Sequence, residues 1–173
     1  MTVTLPSIAI LGTGSMGGAI LAGLLAPGVA VEGGIRVTNR SAEKAQALAA
    51  DGVVSLATSV DPDANRVAVK GARIVLVGVK PHMVPDLLRE IAGDLDPGAL
   101  VISVAAGVTI ATFESLLPER VAVLRSMPNT PSLVGRGVTG LAAGTRSTPE
   151  DLALARAVFA TVEIGRASCR ERV

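Results

Sequence analysis

Residues 7–26, SIAILGTGSMGGAILAGLLA, indicate the fold most clearly. Residues 7–11 form a short, β-branched apolar run that stops at glycine, which is typical of a buried parallel strand. From Ile20 to Leu25 apolar residues recur at helical spacing, and Pro27 and Gly28 end the predicted helix. The stretch is therefore predicted to be a strand, a glycine-rich turn and a helix.

Gly12, Gly14 and Gly17 form the pattern GxGxxG in this turn. Between a strand and a helix, the first glycine permits the tight turn, the second lets a pyrophosphate approach the backbone, and the third lets the helix pack closely on the strand. Exposed amides and the positive end of the helix dipole would then hold the phosphates. A glycine-rich turn without a ligand is the alternative, but this context favours dinucleotide binding.

The same alternation of strand and helix continues to residue 162. Strands are predicted over residues 35–39, 52–56, 73–79, 99–105, 120–127 and 137–144, and helices over residues 41–50, 63–71, 81–95, 109–117 and 147–162. This order predicts an α/β fold with a doubly wound, mostly parallel sheet, a Rossmann-type NAD(P)-binding domain. Ligands bind such sheets at the carboxyl ends of the strands, so one crevice is expected where the loops after Leu11, Val37, Val79, Val104 and Met127 converge.

The end of the second long strand indicates which dinucleotide is preferred. An NAD site usually carries Asp or Glu there, whereas this sequence has Asn39, Arg40 and Ser41. Arg40 can pair with a 2′-phosphate and Ser41 can donate a hydrogen bond to it, so NADP(H) is preferred and NAD(H) stays possible. The alternative is that these residues are a polar helix cap.

Three further groups lie in the predicted crevice loops. Lys80 could be a general acid, a positioning residue or a solvated cation, and His82, the only histidine, is expected to face solvent. Residues 103–109, SVAAGVT, are small enough for close approach by a flat ring. Asn129 and Thr130 lie between two prolines and are candidate substrate contacts, with a structural turn as the alternative.

Size and charge restrict the class of protein. At 173 residues the chain is near the size of one domain. Its formal net charge of +1, with acids and bases interspersed, is not the pattern of a protein that binds nucleic acid or a membrane surface. No apolar run approaches the roughly 20 residues that span a bilayer, and no signal-peptide pattern is present. We expect a cytoplasmic protein without nucleic-acid or membrane partners and without a metal site.

Several segments together resemble the N-terminal domain of the pyrroline-5-carboxylate reductase family, namely ILGTGSMGGAI, VTNRS, DANRVAV, VGVKP, SVAAGVTI and RSMPNTPSLVGRGVTGL. The likeness runs from about Ile8 to Val162, and MPNTP is its most specific part. The resemblance implies reduction of the C=N bond of 1-pyrroline-5-carboxylate by hydride from NAD(P)H, which gives L-proline in the last step of proline biosynthesis. Another NADP-dependent dehydrogenase of the β-hydroxyacid or imine-reducing kind, or a non-catalytic nucleotide-binding protein, is the alternative.

The resemblance also implies which residues bind the cofactor. The pyrophosphate would lie on the glycine turn, the adenosine half on the second strand end and Asn65, and the nicotinamide half on two further loops. By position these are Leu11, Gly12, Thr13, Gly14, Ser15, Met16 and Gly17; Asn39, Arg40, Ser41 and Asn65; and Gly78, Val79, Lys80, Pro81, Val104, Ala105, Ala106 and Gly107. No side chain is assigned as a proton donor. Gly78 and His82 depart from the alanine and glutamine that are usual in the family.

We expect two parts in the chain, an NAD(P)-binding domain over residues 1–162 and a non-native tail over residues 163–173. Residues 164–173, IGRASCRERV, match codon by codon the translation of a widely used sequencing adapter. In the resembled family a second, helical domain dimerises and completes the substrate pocket, and we expect that domain to be missing here. The chain is accordingly expected to be an inactive fragment of a homo-oligomeric protein.

Overall fold

A computed structural model describes residues 2–163. Its strands are β1 (Val3–Leu5), β2 (Ile8–Leu11), β3 (Val29–Val31), β4 (Ile35–Asn39), β5 (Val53–Ala57), β6 (Ile74–Val77), β7 (Leu100–Ser103), β8 (Ala122–Pro128) and β9 (Thr139–Ala143). Its α-helices are α1 (Ser15–Leu24), α2 (Ala42–Ala47), α3 (Ala64–Val69), α4 (Val84–Ile91), α5 (Ile110–Leu116) and α6 (Pro149–Phe159). Short 3-10 helices cover Pro81–Met83, Thr130–Val134 and Ala160–Val162. Apart from Glu163, the predicted non-native tail lies outside the described residues.

The main sheet has the strand order β5-β4-β2-β6-β7-β8-β9. All neighbouring strands in it are parallel except β8 and β9, which are antiparallel. The strand order reverses at β2, which has β4 on one side and β6 on the other. Ligand crevices of doubly wound sheets open at such a reversal. The predicted fold class is confirmed, and the glycine turn after β2 lies at the switch point.

Both faces of the sheet are covered by helices. On one face α1 and α6 pack on the sheet, and the core between them includes Ile10, Ile20 and Phe159. On the opposite face α3, α4 and α5 pack on the sheet around a second core that includes Val75 and Phe113. Every residue of β2, β6 and β7 is buried. This double burial explains why these strands, apart from Ser103 at the end of β7, are continuous apolar runs rather than alternating ones.

Some elements differ from the sequence prediction. The helix predicted over residues 81–95 begins as a 3-10 turn and its α-helical part is only Val84–Ile91. The cause is Pro85, which has no amide hydrogen to donate to the carbonyl oxygen of Pro81; Val84 N makes that hydrogen bond instead. The helix predicted over residues 41–50 ends at Ala47. The short parallel pair formed by β1 and β3 was not predicted.

An ion pair holds α6 at the amino edge of the sheet. Thr148 and Asp151 form a capping box at the start of α6, and Arg73, beside β6, donates from Nη2 to Asp151 Oδ1 at 3.0 Å. Burial of Asp151 acts to raise the pKa of its carboxyl group, but hydrogen bonds from Thr148 and Arg73 outweigh it and hold that pKa below its ordinary value. Helix α6 is thus fixed by a charge pair as well as by its apolar face.

Candidate functional site

The carboxyl edge of the sheet brings the predicted site loops together. Strand register places Leu11 beside both Thr38 and Val77, and Val77 beside Ser103. Each of these residues is at or next to the end of its strand, so the loops that follow β4, β2, β6 and β7 lie side by side. A depression of about 750 Å³ lies elsewhere, at the amino edge of the sheet near Ser7 and Gly52.

Each glycine of the turn has a different local requirement. Gly12 has φ +85, which disfavours residues with a side chain, and a methyl group there would lie 2.9 Å from the amide nitrogen of Val79. A methyl group at Gly17 would lie 2.5 Å from the carbonyl oxygen of Gly12, so close packing of α1 on the turn requires this glycine. No protein atom of the described residues lies within 4 Å of the corresponding position at Gly14. The open space at Gly14 faces the position predicted for the pyrophosphate.

The start of α1 has no capping side chain among the described residues. Its N-cap is Gly14, and its first turn carries no acidic residue. The amide groups of the first turn and the positive end of the helix dipole are therefore available to an anion. Ser15 is exposed and Met16 is half-buried, while Thr13 is buried and donates from Oγ1 to the Thr38 carbonyl oxygen at 3.4 Å. The Thr13 side chain thus ties the turn to β4.

The end of β4 combines a cap with unused donors. Ser41 Oγ accepts a hydrogen bond of 3.3 Å from Lys44 N, so the helix-cap alternative for this residue holds in the structure. Asn39 is 7% exposed, and its Nδ2 has no hydrogen-bond partner within residues 2–163. Arg40 is exposed and makes no ion pair with a described residue. A buried amide without an acceptor beside an unpaired guanidinium fits a polar, anionic ligand.

The loop after β6 lies against the end of β2 and the glycine turn, and the loop after β7 begins against the end of β6. Gly78 N donates to the Leu11 carbonyl oxygen at 2.8 Å, and Val104 N donates to the Val77 carbonyl oxygen at 3.0 Å. A methyl group at Gly78 would lie 2.8 Å from the Gly12 carbonyl oxygen. Glycine at position 78, where the resembled family usually has alanine, therefore suits this close contact.

The remaining residues of these loops differ in exposure. Lys80 and Pro81 are exposed, Val79 and Val104 are half-buried, Ala105 is buried, and Ala106 and Gly107 are exposed. His82 is exposed, as expected. The loop after β7 thus presents a small, nearly side-chain-free surface.

Two predicted contacts are partly engaged within the chain. Asn65, the second residue of α3, donates from Nδ2 to Glu90 Oε2 at 3.4 Å. Asn129 Oδ1 accepts a hydrogen bond of 2.9 Å from Val138 N, and Asn129 N donates to the Val138 carbonyl oxygen at 3.3 Å. The Asn129 carboxamide oxygen therefore closes the β8–β9 turn, while Thr130 is exposed.

Comparison with known proteins identifies the family. Residues 7–107, which contain the glycine turn, Arg40 and the loops after β6 and β7, match the model of the family described as NADP oxidoreductase coenzyme F420-dependent. The chain belongs to this family. None of the described helices of this NADP oxidoreductase family member is long and apolar enough to cross a membrane.

Similar proteins carry one recurrent name. The chain is 40% identical over 161 residues to a pyrroline-5-carboxylate reductase of Mycobacterium tuberculosis, which covers 90% of this chain and 52% of that protein. It is 38% identical over 146 residues to the Escherichia coli protein of the same name, which covers 84% of this chain and 52% of that protein. The structure of a pyrroline-5-carboxylate reductase from Coxiella burnetii superimposes with a TM-score of 0.80 at 34% identity, covering 91% of this chain and 56% of that one. The chain spans about half the length of these relatives.

Sequence reasoning assigned no role to Arg125. This residue lies on β8 beside Ser103, and its Nε is buried without a hydrogen-bond partner in the described part of the chain. The sequence carries a signal for it, because an arginine follows the apolar run AVL (residues 122–124) and precedes SMPNTP (residues 126–131). Only the sheet register shows that this arginine stands at the carboxyl edge.

Proposed function

We propose that the chain is the cofactor-binding part of a pyrroline-5-carboxylate reductase, which reduces 1-pyrroline-5-carboxylate to L-proline with NAD(P)H. The observation that carries the proposal is the carboxyl edge of the sheet, where an uncapped helix start and the open space at Gly14 adjoin two small-residue loops. The relatives support this reaction, because the proteins that match the chain over most of its length are named pyrroline-5-carboxylate reductase. A small-molecule substrate, a homo-oligomer and a cytoplasmic location are parts of the same proposal.

The donor set fits NADP(H). The first-turn amides of α1 would bind the pyrophosphate, with Gly14 leaving room for it. Arg40 would pair with the 2′-phosphate, and the unpartnered Asn39 Nδ2 would donate to the ribose. No carboxylate stands among residues 39–41 to repel a 2′-phosphate. NADPH is therefore preferred and NADH is the weaker cofactor.

The other crevice residues would shape the nicotinamide half. Gly78, Val79, Lys80 and Pro81 on one side, and Val104, Ala105, Ala106 and Gly107 on the other, offer backbone and small side chains to a flat ring. When bound, the reduced nicotinamide supplies the hydride that the imine carbon accepts. A protonated imine is already electrophilic, so the main task of these residues is to fix its distance and orientation.

Asn129 and Thr130 are the proposed substrate contacts of this chain. The Asn129 oxygen is used by Val138, so Asn129 would act through its amide nitrogen and would also fix the loop. Thr130 is exposed at the start of the 3-10 helix Thr130–Val134 and would donate or accept through its hydroxyl group.

The direct test is oxidation of NADPH by the full-length gene product with 1-pyrroline-5-carboxylate. We expect turnover that depends on both compounds, and a higher kcat/KM with NADPH than with NADH. NADPH binding by the 173-residue chain, measured by calorimetry, is the companion experiment. Tight NADPH binding without turnover would instead favour a non-catalytic nucleotide-binding protein, and failure to bind any nicotinamide nucleotide would contradict the assignment of the crevice.

A further inference from the structure

Two buried serines lie where β7 and β8 reach the carboxyl edge of the sheet. Ser103 is the last residue of β7 and is 1% exposed, and Ser126 on β8 is 2% exposed. The pairing of the two strands ends at Ser103 and Arg125, so Ser126 is the first residue of β8 beyond it. The Ser126 hydroxyl group donates to the Ser103 carbonyl oxygen at 2.8 Å and thus keeps the strands joined one residue further.

Ser103 also holds the loop that follows β7. Its Oγ accepts a hydrogen bond of 3.3 Å from Ala105 N. The amide between them, Val104 N, donates to the Val77 carbonyl oxygen at 3.0 Å. This loop is the proposed wall of the nicotinamide half, and the first two of its amides are therefore fixed by hydrogen bonds.

Ser126 stands at the base of the other loop of the site. Asn129 and Thr130, the proposed substrate contacts, follow it by three and four residues. Strand β8 stays paired with β9 as far as residue 128, so a displacement of Ser126 is passed on to this loop with little slack. The hydrogen bond between Ser126 and Ser103 therefore links the loop proposed to hold the hydride donor with the loop proposed to hold the acceptor.

Packing alone does not require hydroxyl groups at this level of the sheet. The register places Ser103 beside Val77, and Val77 beside Leu11, at the ends of β6 and β2. Val77 and Leu11 are fully buried apolar residues. An apolar residue can thus fill such a position, and what a serine adds here is the set of hydrogen bonds that reach the two loops.

We propose that Ser103 and Ser126 are positioning residues that set the distance between the nicotinamide and the imine. The inference rests on the proposed function. Both serines are too deeply buried to touch a ligand, so they act through the loops. Hydride transfer needs its two carbon atoms about 3–3.5 Å apart, and a misplacement of about 1 Å can lower the rate roughly 100-fold.

The test is the single-turnover rate of the full-length gene product, in which enzyme-bound NADPH is oxidised by saturating 1-pyrroline-5-carboxylate. Ser126→Ala and Ser103→Ala should each lower this rate by on the order of 10-fold, because strand pairing still restrains the loops and limits the misplacement. The Kd of NADPH should not change, since the proposed phosphate contacts lie at β2 and β4. NADPH with deuterium at both C4 positions should react more slowly in both variants. Ser126→Cys keeps the size of the side chain but is a weaker donor, so its rate should lie between those of wild type and Ser126→Ala.

Ser7→Ala is the matched control. Ser7 Oγ also donates to a carbonyl oxygen at 2.8 Å, that of Gly71, and also accepts from an amide, Arg73 N, at 3.1 Å. Because Ser7 lies at the amino edge of the sheet, its replacement should lower stability in urea unfolding much as Ser126→Ala does but leave the single-turnover rate unchanged.

Three results would overturn the positioning roles while wild-type turnover kept the proposed function. The first is the same single-turnover rate in Ser7→Ala as in the two crevice variants, the second is a slow step without an isotope effect, and the third is a loss confined to NADPH affinity. A wild-type protein that binds NADPH but does not oxidise it with 1-pyrroline-5-carboxylate would overturn the proposed function, and the positioning roles with it.

Discussion

Gly17 and Gly18 are adjacent in α1, and the structure predicts opposite effects of the same substitution at these two positions. Alanine is more favourable than glycine inside a helix by about 1 kcal/mol, and this gain applies to both. At Gly18 no atom of the described chain lies within 4 Å of the added methyl group. Gly18→Ala should therefore raise the free energy of unfolding by about 0.4–1 kcal/mol.

At Gly17 the added methyl group would lie 2.5 Å from the carbonyl oxygen of Gly12. That oxygen cannot simply move away, because Gly12 is held at φ +85 and its amide donates to the Thr38 carbonyl oxygen at 3.2 Å. Overpacking of this kind costs about 1–3 kcal/mol, and the confinement of the oxygen argues for the upper half of the range. After the helix gain is subtracted, Gly17→Ala should be less stable than wild type by about 1–2 kcal/mol.

The assay is equilibrium urea unfolding of the two variants and wild type, with the m-values compared so that only changes in midpoint are interpreted. NADPH affinity provides a second readout, since displacement of the glycine turn should weaken binding in Gly17→Ala and not in Gly18→Ala. Equal stability of Gly17→Ala and Gly18→Ala would contradict this prediction, because the close approach of α1 to the turn would then carry no cost.

Two other predictions concern charges. Arg40→Ala should weaken NADPH binding, measured by calorimetry, by on the order of 10- to 100-fold and should leave NADH binding unchanged. Lys44→Ala is the control. Equal losses of affinity for both nucleotides would contradict a contact between Arg40 and the 2′-phosphate. Hydrogen bonds hold the pKa of Asp151 in the folded protein below its unfolded value of about 3.9. The ion pair of Asp151 therefore stabilises the fold above that pH, and the stabilisation is lost as the pH falls through the lower folded pKa. Asp151→Asn should lower the free energy of unfolding by about 1–3 kcal/mol at neutral pH, with Glu119→Gln as the control. The difference from wild type should shrink below about pH 4 in urea unfolding, and a constant gap across pH would contradict the role of this pair.

The sequence was sufficient to predict the fold class because the strands of the parallel sheet are buried on both faces. Such strands appear as unbroken apolar runs, and residues 8–11, 74–77 and 100–102 are runs of this kind. The three-residue strands β1 and β3 gave no comparable signal, since they form outside the main sheet and depend on each other. Helix ends were less predictable where a proline changed the hydrogen bonding, as at Pro85.

The candidate site was predictable where it depends on backbone and less so where it depends on packing. Gly12 and Gly17 could be assigned from their spacing, and the structure gives both the close contacts that the pattern requires. The use of Asn129 by Val138, and of Thr13 by Thr38, depends on pairs nine and 25 residues apart that no local pattern encodes. The position of Arg125 beside Ser103 likewise follows from the tertiary arrangement alone.

The most direct test is transfer of deuterium to the imine from NADPH that carries deuterium at both C4 positions of the nicotinamide, using the full-length gene product. The proposed hydride transfer predicts L-proline that carries one deuterium at C5, the ring carbon that receives the hydride, formed at a rate that falls when Gly14 is replaced by a bulky residue. Proline without deuterium, or no proline while NADPH remains bound, would contradict it.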